Sequence, residues 1–310
     1  MSGPGKEPDR ATPTRRPALV VGAGGLMGRA LCERLRASGA EAVAATRDTP
    51  PLVRPDGTPA PALRAAGVVH YLATSVTPGL AETHPERVAA DHETFVRTLD
   101  ALATVENPPL VVLASTGLTV SESGDGRPCT EDAEALPKSA YARAKLALER
   151  ELLYRSPLVP GMVVRMTNVY GPGHALRRGY GVVAHWLAAV AQGRPLELYG
   201  DPDTTRDYLY VDDAVAALAG LGPEAADLPF DVVNIGSGEA TTLGRLLGVI
   251  REVTDRELTV RLRPGRGFDQ PANLLDVDRA HRRLGWRART PLAVGLERTW
   301  RALNGTAVAR

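Results

Sequence analysis

At 310 residues the chain is long enough for one large α/β domain, or for a larger and a smaller domain sharing a well-buried core. Its 37 Lys and Arg nearly cancel its 36 Asp and Glu without any basic block, which argues against a nucleic-acid partner, and no run is long and apolar enough to span a bilayer. The two cysteines, Cys32 and Cys129, are far apart and lack metal-ligand spacing, so no disulfide framework or metal site is expected and a reducing cytoplasm suits the chain.

Residues 1–16, rich in Pro, Gly and charge with no apolar segment, read as a disordered tail rather than a signal peptide. From residue 17 the pattern becomes regular. The apolar run 18–21, a glycine cluster and the amphipathic stretch 26–37 give strand, tight turn and helix. Further apolar runs at 42–45, 68–73, 110–114 and 162–164 are separated by helical stretches such as 85–104 and 139–154. Continuous apolar runs, each followed by a helix, indicate a parallel sheet covered on both faces, and so a doubly wound, Rossmann-like α/β fold. The Pro-rich segment 48–67 is short for a strand-helix unit, so one strand there should be abbreviated. Beyond residue 170 the elements are less regular: a helix near 182–192, strands near 207–211 and 232–235, and helices after Thr242 and Asp276. These suggest a smaller C-terminal lobe, mainly 171–310, laid over the mouth of a 17–170 domain and interleaved with it.

Gly22, Gly24, Gly25, Leu26, Met27 and Gly28 lie between the first strand and the first helix. Glycines suit a tight turn in which backbone must approach a pyrophosphate closely, and the helix N-terminus supplies N–H groups and partial positive charge for it. At the end of the second strand an acid would bind the ribose hydroxyls of NAD, whereas a neutral residue beside an arginine accepts the 2′-phosphate of NADP. Thr46 and Arg47 favour NADP; Asp48, as a displaced ribose acid, leaves NAD open. Asp56 lines an adenine pocket or is a plain turn residue.

Tyr141 and Lys145 are spaced i, i+4 at the start of a helix and so share a face. A lysine ammonium there lowers the phenol's pKa from about 10 and can hold a nicotinamide ribose, which makes the tyrosine a general acid or base for carbinol/carbonyl interconversion. The pair follows Ser115-Thr116-Gly117 at the end of an apolar strand.

These features, in order with Val69-His70-Tyr71-Leu72-Ala73, Arg165-Met-Thr-Asn168-Val-Tyr-Gly-Pro172, Thr205-Arg206-Asp-Tyr-Leu-Tyr-Val-Asp212, Asn234-Ile-Gly-Ser-Gly238 and Leu284-Gly-Trp286, span nearly all of 17–304. The chain thus resembles the extended short-chain dehydrogenase/reductase family, in its nucleotide-sugar epimerase/dehydratase/reductase branch. The resemblance implies a 17–170 NAD(P)-binding domain, with Leu72 and Ala73 joining the turn, Thr46, Arg47, Tyr141 and Lys145 at the cofactor. It also implies a catalytic hydroxyl at Thr116; Ser115 and Thr119 stay open, because Val120-Ser121-Glu122 departs from the family's usual Val-Tyr-Gly. Asn168, Arg206 and Arg266 fall where family members hold the diphosphate of a nucleotide-linked sugar, and Tyr199 where the base is flanked. Arg206 is alternatively an ion-pair partner of Asp207, and Tyr199 a core aromatic.

Dehydratases and decarboxylases resembling this family carry an acid just after the catalytic hydroxyl, and residues 117–120 hold none. Together with Arg47, this points to an NADPH-dependent ketoreductase of a nucleotide-linked 4-keto-6-deoxysugar. An NAD-dependent 4-epimerase, for which His174 offers a second acid, is the alternative. A binding-only regulator is expected to have lost the Tyr/Lys pair, which this chain keeps. Family members pair through the helices at 85–104 and 139–154, so a homodimer is expected.

Overall fold

The structure, a computed structural model, describes residues 16–119, 127–176, 181–222, 225, 230–265, 272 and 274–308. The strands are β1 (Ala18–Val21), β2 (Ala42–Ala45), β3 (Val68–Tyr71), β4 (Leu110–Thr116), β5 (Gly161–Met166), β6 (Asn168–Tyr170), β7 (Leu196–Tyr199), β8 (Thr205–Arg206), β9 (Tyr208–Tyr210), β10 (Asp231–Ile235), β11 (Thr241–Thr242) and β12 (Val260–Arg263). The helices are α1 (Leu26–Ala37), α2 (Pro61–Ala65), α3 (Pro78–Thr83), α4 (Pro85–Leu102), α5 (Ala140–Arg155), α6 (Val182–Ala191), α7 (Val211–Ala219), α8 (Leu243–Thr254), α9 (Asp278–Leu284) and α10 (Leu292–Val308).

Six strands form one parallel sheet in the order β10-β5-β4-β3-β1-β2. The chain starts at β1, winds outward through β2, then returns to β1's other side for β3, so the winding reverses between β1 and β3. In such sheets the crevice at the carboxyl ends of the strands flanking the reversal is where ligands bind. Alternate side chains feed two cores, as buried strands require. Val20, Val112 and Val164 meet Leu31 and Leu35 of α1 and Leu218 of α7 on one face. Leu19, Val111 and Val163 meet Leu63 of α2, Phe95 and Leu99 of α4 and Leu152 of α5 on the other.

Segment 48–67 departs further from a regular unit than the shortened strand expected. It adds no strand to the sheet; Val53 and Pro59 form an isolated antiparallel bridge and α2 has five residues. Its prolines explain this, since Pro50, Pro51, Pro55, Pro59 and Pro61 cannot donate to a ladder. The strand expected at 207–211 ends at Tyr210, where α7 begins at once. Of the expected tail, residues 1–15 lie outside the described residues, whereas Arg16 belongs to the folded body and donates to the carbonyls of Arg64, Ala65 and Asn107. β10 enters the main sheet beside β5, while β6 pairs with β9, β8 with β11 and β7 with β12 in separate two-stranded ladders. No helix among the described residues is long and apolar enough to cross a membrane.

Candidate active site

The glycine turn divides into positions the protein itself requires and positions it does not. Gly22 has φ +91°, and a Cβ there would lie 2.8 Å from Ala73 N at the end of β3. A Cβ on Gly28 would lie 2.3 Å from the Gly22 carbonyl, so that glycine lets α1 seat on the turn. At Gly24 a Cβ would meet only Thr46 Cγ2, at 3.9 Å, and at Gly25 only the Gly22 carbonyl, at 3.4 Å. Neither needs to be glycine for packing. A group approaching from outside explains both, and a diphosphate fits: Gly25, the N-cap of α1, offers no side chain to the first-turn N–H groups, leaving them for an external acceptor.

At the carboxyl ends of β2 and β3, Thr46 lies against Gly24 and the Leu72–Ala73 backbone against Gly22, with Arg47 following Thr46 in the chain. Thr46 accepts from Asp48 N at 3.2 Å, shaping a small turn that leaves Arg47 and Asp48 exposed, with no ion pair on either among the described residues. Asp56 is a turn residue: its carboxylate accepts from the backbone N (2.9 Å) and hydroxyl (2.7 Å) of Thr58, bonds that hold its pKa down.

Ser139 caps α5 by accepting from Ala142 N at 3.1 Å, and this fixes where the helix carrying Tyr141 and Lys145 begins. The Lys145 ammonium lies 5.9 Å from the Tyr141 ring centroid and donates to the Ala114 carbonyl of β4 at 3.2 Å. Burial pushes the Lys145 pKa down to about 8, while Asp91 and Glu149 oppose the shift. A cavity of about 320 Å³ opens beside the pair, bounded by Thr74, Val76, Asp91, Tyr141 and Lys145 among others. Asp91 is itself fixed, accepting from Ser75 N at 2.7 Å and the Thr74 hydroxyl at 3.2 Å.

Of the three hydroxyls near the end of β4, two already have partners. Ser115 donates to buried Glu149, and fully buried Thr119 donates to the Thr116 carbonyl at 2.9 Å. Thr116 is half-buried and its Oγ accepts from Leu118 N at 3.3 Å, which leaves its proton to give. Residues 120–126 lie outside the described residues. Glu149, one turn beyond Lys145, also holds Arg165 of β5 (Nη2–Oε2 2.7 Å), both about 5–7 % exposed, and Arg165 donates to the Glu131 carbonyl at 3.1 Å. This buried network ties the catalytic helix to the sheet.

On the substrate side, Asn168 is exposed and donates through Nδ2 to the Asp207 carbonyl at 3.0 Å. The carboxylate of Asp207 accepts from Ser237 N (2.9 Å), Ser237 Oγ (2.6 Å) and Gly238 N (3.1 Å), so its bonding belongs to the 237–238 turn. Arg206, half-buried on β8, donates to the Thr205 carbonyl at 2.8 Å. Asn168 stands on β6 beside β9, and Arg206 on β8, which pairs with β11. Tyr199 is 42 % exposed rather than a core aromatic, and its hydroxyl donates to Glu197 at 2.9 Å. Arg266 lies outside the described residues, next to Gly265, which approaches Gly200. His174 packs against Gly181.

Sequence reasoning passed over Asp91, Glu149 and Arg29. An acid at Lys145+4 on a helix's buried face was a readable signal, and so was an arginine directly after Gly28. Asp91 carried none, because it reaches the site through tertiary packing.

The family described as NAD dependent epimerase/dehydratase matches residues 18–236. The chain is 29 % identical over 203 residues to dTDP-4-dehydro-6-deoxyglucose reductase of Escherichia coli, a match covering 63 % of this chain and 61 % of that enzyme. It is 29 % identical over 307 residues to UDP-glucose 4-epimerase of Mycolicibacterium smegmatis (91 % and 96 %), and 28 % over 320 residues to dTDP-4-dehydro-6-deoxy-D-allose reductase of Streptomyces bikiniensis (92 % and 95 %). Among solved structures, MoeE5 in complex with UDP-glucose and NAD superimposes with a TM-score of 0.82 at 28 % identity, covering 94 % of this chain and 99 % of that one.

Proposed function

The chain belongs to the NAD-dependent epimerase/dehydratase family, and from that premise we propose that it is an NADPH-dependent 4-ketoreductase of a nucleotide-linked 4-keto-6-deoxysugar. The observation that carries the choice of cofactor is the carboxyl end of β2, where Arg47 stands exposed beside Thr46 with no ion pair among the described residues. The relatives of the reductase kind from Escherichia coli and Streptomyces bikiniensis support the reaction class.

The dinucleotide is held by the Gly22–Gly28 turn, by Thr46 and Arg47, and by Leu72 and Ala73, with Lys145 reaching the nicotinamide ribose. When bound, the reduced nicotinamide supplies a hydride. Tyr141 delivers the proton to the carbonyl oxygen of the sugar, and the Thr116 hydroxyl donates a hydrogen bond to that same oxygen. Lys145, charged below about pH 8 and buried, stabilises the phenolate left on Tyr141. Asn168, Arg206 and Arg266 receive the diphosphate, for which a guanidinium fork is the fitting partner. Tyr199 presents an exposed ring to the base. On this reading residues 17–170 mainly hold the cofactor and 171–310 mainly the sugar nucleotide, the two interleaved, with Asn168 of the first serving the second.

A second reading, an NAD-dependent 4-epimerase, is favoured by one observation: the Mycolicibacterium smegmatis epimerase aligns over 96 % of its own length. The two readings separate on a single preparation. Incubation with dTDP- and UDP-linked 4-keto-6-deoxyglucose should consume NADPH stoichiometrically and yield the 4-hydroxy sugar. A copurifying NAD, and interconversion of 4-hydroxy epimers with no net cofactor use, would replace this proposal with the epimerase.

The same reading includes a homodimer formed through α4 and α5. These helices pack side by side, and α5 leaves Leu153 and Tyr154 at 52 % and 80 % exposure. Light scattering at micromolar concentration should give twice the chain mass of 32.9 kDa.

A further inference from the structure

We propose that Arg29 is a positioning residue that couples dinucleotide binding at the glycine turn to the order of the 171–174 loop. The inference rests on the reading that this turn holds the dinucleotide's phosphates.

Arg29 lies in the first turn of α1. A cation there opposes the helix dipole, a disfavoured placement. It has no carboxylate partner among the described residues. Its guanidinium instead spans two loops: Nη1 donates to the Gly24 carbonyl at 2.5 Å and Nη2 to the Gly173 carbonyl at 2.7 Å.

Both contacts fall on glycine backbone that would otherwise turn easily. The peptide joining Gly24 to Gly25 is gripped at both ends, its N–H on the Gly22 carbonyl at 3.0 Å and its C=O on Arg29. That peptide lies in the part of the turn which protein packing leaves open. On the far side, Gly173 sits at φ +74° in the loop that leads to His174. Two carbonyls occupy only part of a donor set of five N–H groups, so the cation keeps donors for an anion at the turn. A phosphate there offsets the unfavourable charge, tightens the guanidinium in place, and thereby fixes the loop on the substrate side. By linkage, whatever orders the loop must strengthen dinucleotide binding equally.

Hydrogen exchange of the Gly171, Gly173 and His174 amides, with and without saturating NADPH or NADH, tests this. In the wild type the cofactor should slow exchange by roughly tenfold, the factor expected for one charge-assisted hydrogen bond. In Arg29→Ala, at cofactor concentrations raised until the site is equally filled, that protection should vanish while the melting temperature stays near wild type. Arg29→Lys keeps the charge without the fork, and should recover part of the cofactor affinity but none of the loop protection. Full protection in saturated Arg29→Ala, or a wild-type loop indifferent to bound cofactor, overturns the coupling and leaves the turn's role intact. Failure of the wild type to bind either dinucleotide would instead remove the reading on which it rests.

Discussion

The division of labour within the glycine turn leads to an experiment that separates binding from folding. Alanine at Gly24 adds a methyl whose only neighbour within 4 Å is Thr46 Cγ2 at 3.9 Å, at a backbone angle outside the left-handed region. Folding should therefore tolerate it, and the loss of unfolded-state freedom should stabilise the chain by about 0.4–1 kcal/mol. The same methyl projects where the diphosphate must approach. Displacing one charge-assisted hydrogen bond, at roughly 1.5–3 kcal/mol, corresponds to a Kd about ten- to a hundredfold weaker for the dinucleotide. Gly28→Ala is the contrasting case: its methyl meets backbone at 2.3 Å and 2.7 Å, atoms that cannot swing aside, so stability should fall by about 1–3 kcal/mol or more. Urea unfolding paired with fluorescence titration of NADPH and NADH measures both quantities on each variant. Gly24→Ala that folds normally and binds both dinucleotides as the wild type does would show that the turn does not face phosphate.

Tyr141→Phe should bind cofactor almost unchanged yet turn over about two to four orders of magnitude more slowly, as single-turnover kinetics would show. Arg47→Ala should weaken NADPH by about tenfold and leave NADH unchanged; equal losses, or a wild-type preference for NADH, would move the assignment to NAD. With the Lys145 pKa at about 8, kcat/KM should decline as pH rises through that value, and Asp91→Asn, by removing an opposing negative charge, should shift the decline to lower pH. Because folded Lys145 holds its proton less tightly than the unfolded side chain at 10.5, its contribution to stability increases between those two pH values, so urea unfolding should show no matching loss from this group. Glu149→Gln strands buried Arg165 and should destabilise by about 3–5 kcal/mol, while Glu149→Leu combined with Arg165→Met should cost less than the sum of the single changes.

The sheet was legible because buried parallel strands carry long apolar runs: β1 is apolar throughout, and β3, β4 and β5 are apolar apart from His70, Ser115-Thr116 and Arg165. The turn and the Tyr141/Lys145 spacing were legible because both are local: one strand-to-helix junction and one helix face. Residues 48–67 were harder, since proline shows where a ladder fails but not what replaces it. α7 was hidden behind β9, because Tyr208 to Val211 is one apolar run in which only the ladder to β6 marks the strand's end. α10 and the β7/β12 pair were missed for a related reason: β12 is exposed throughout, so it has no buried face to pattern its sequence. Which of the hydroxyls near the end of β4 keeps a proton to give was beyond sequence, because it turns on Glu149 claiming Ser115 from the helix across the strand.

That same buried network bears on which reaction the site performs. Proton transfer at Tyr141 runs in either direction, so the pair alone suits a reductase and an epimerase equally. What differs is whether the dinucleotide leaves between turnovers. An epimerase must keep it, which calls for slow dissociation and hence for much buried, well-paired contact. Here α5 is anchored from behind by Glu149 and Arg165, and Lys145 donates to the Ala114 carbonyl of β4. At the other end, the adenosine ribose would meet Arg47 and Asp48, both exposed and both screened by solvent. Exposed charge of this kind discriminates between NADPH and NADH on arrival more than it slows departure. On the reductase reading proposed above, an open ribose end fits a dinucleotide that must leave between turnovers.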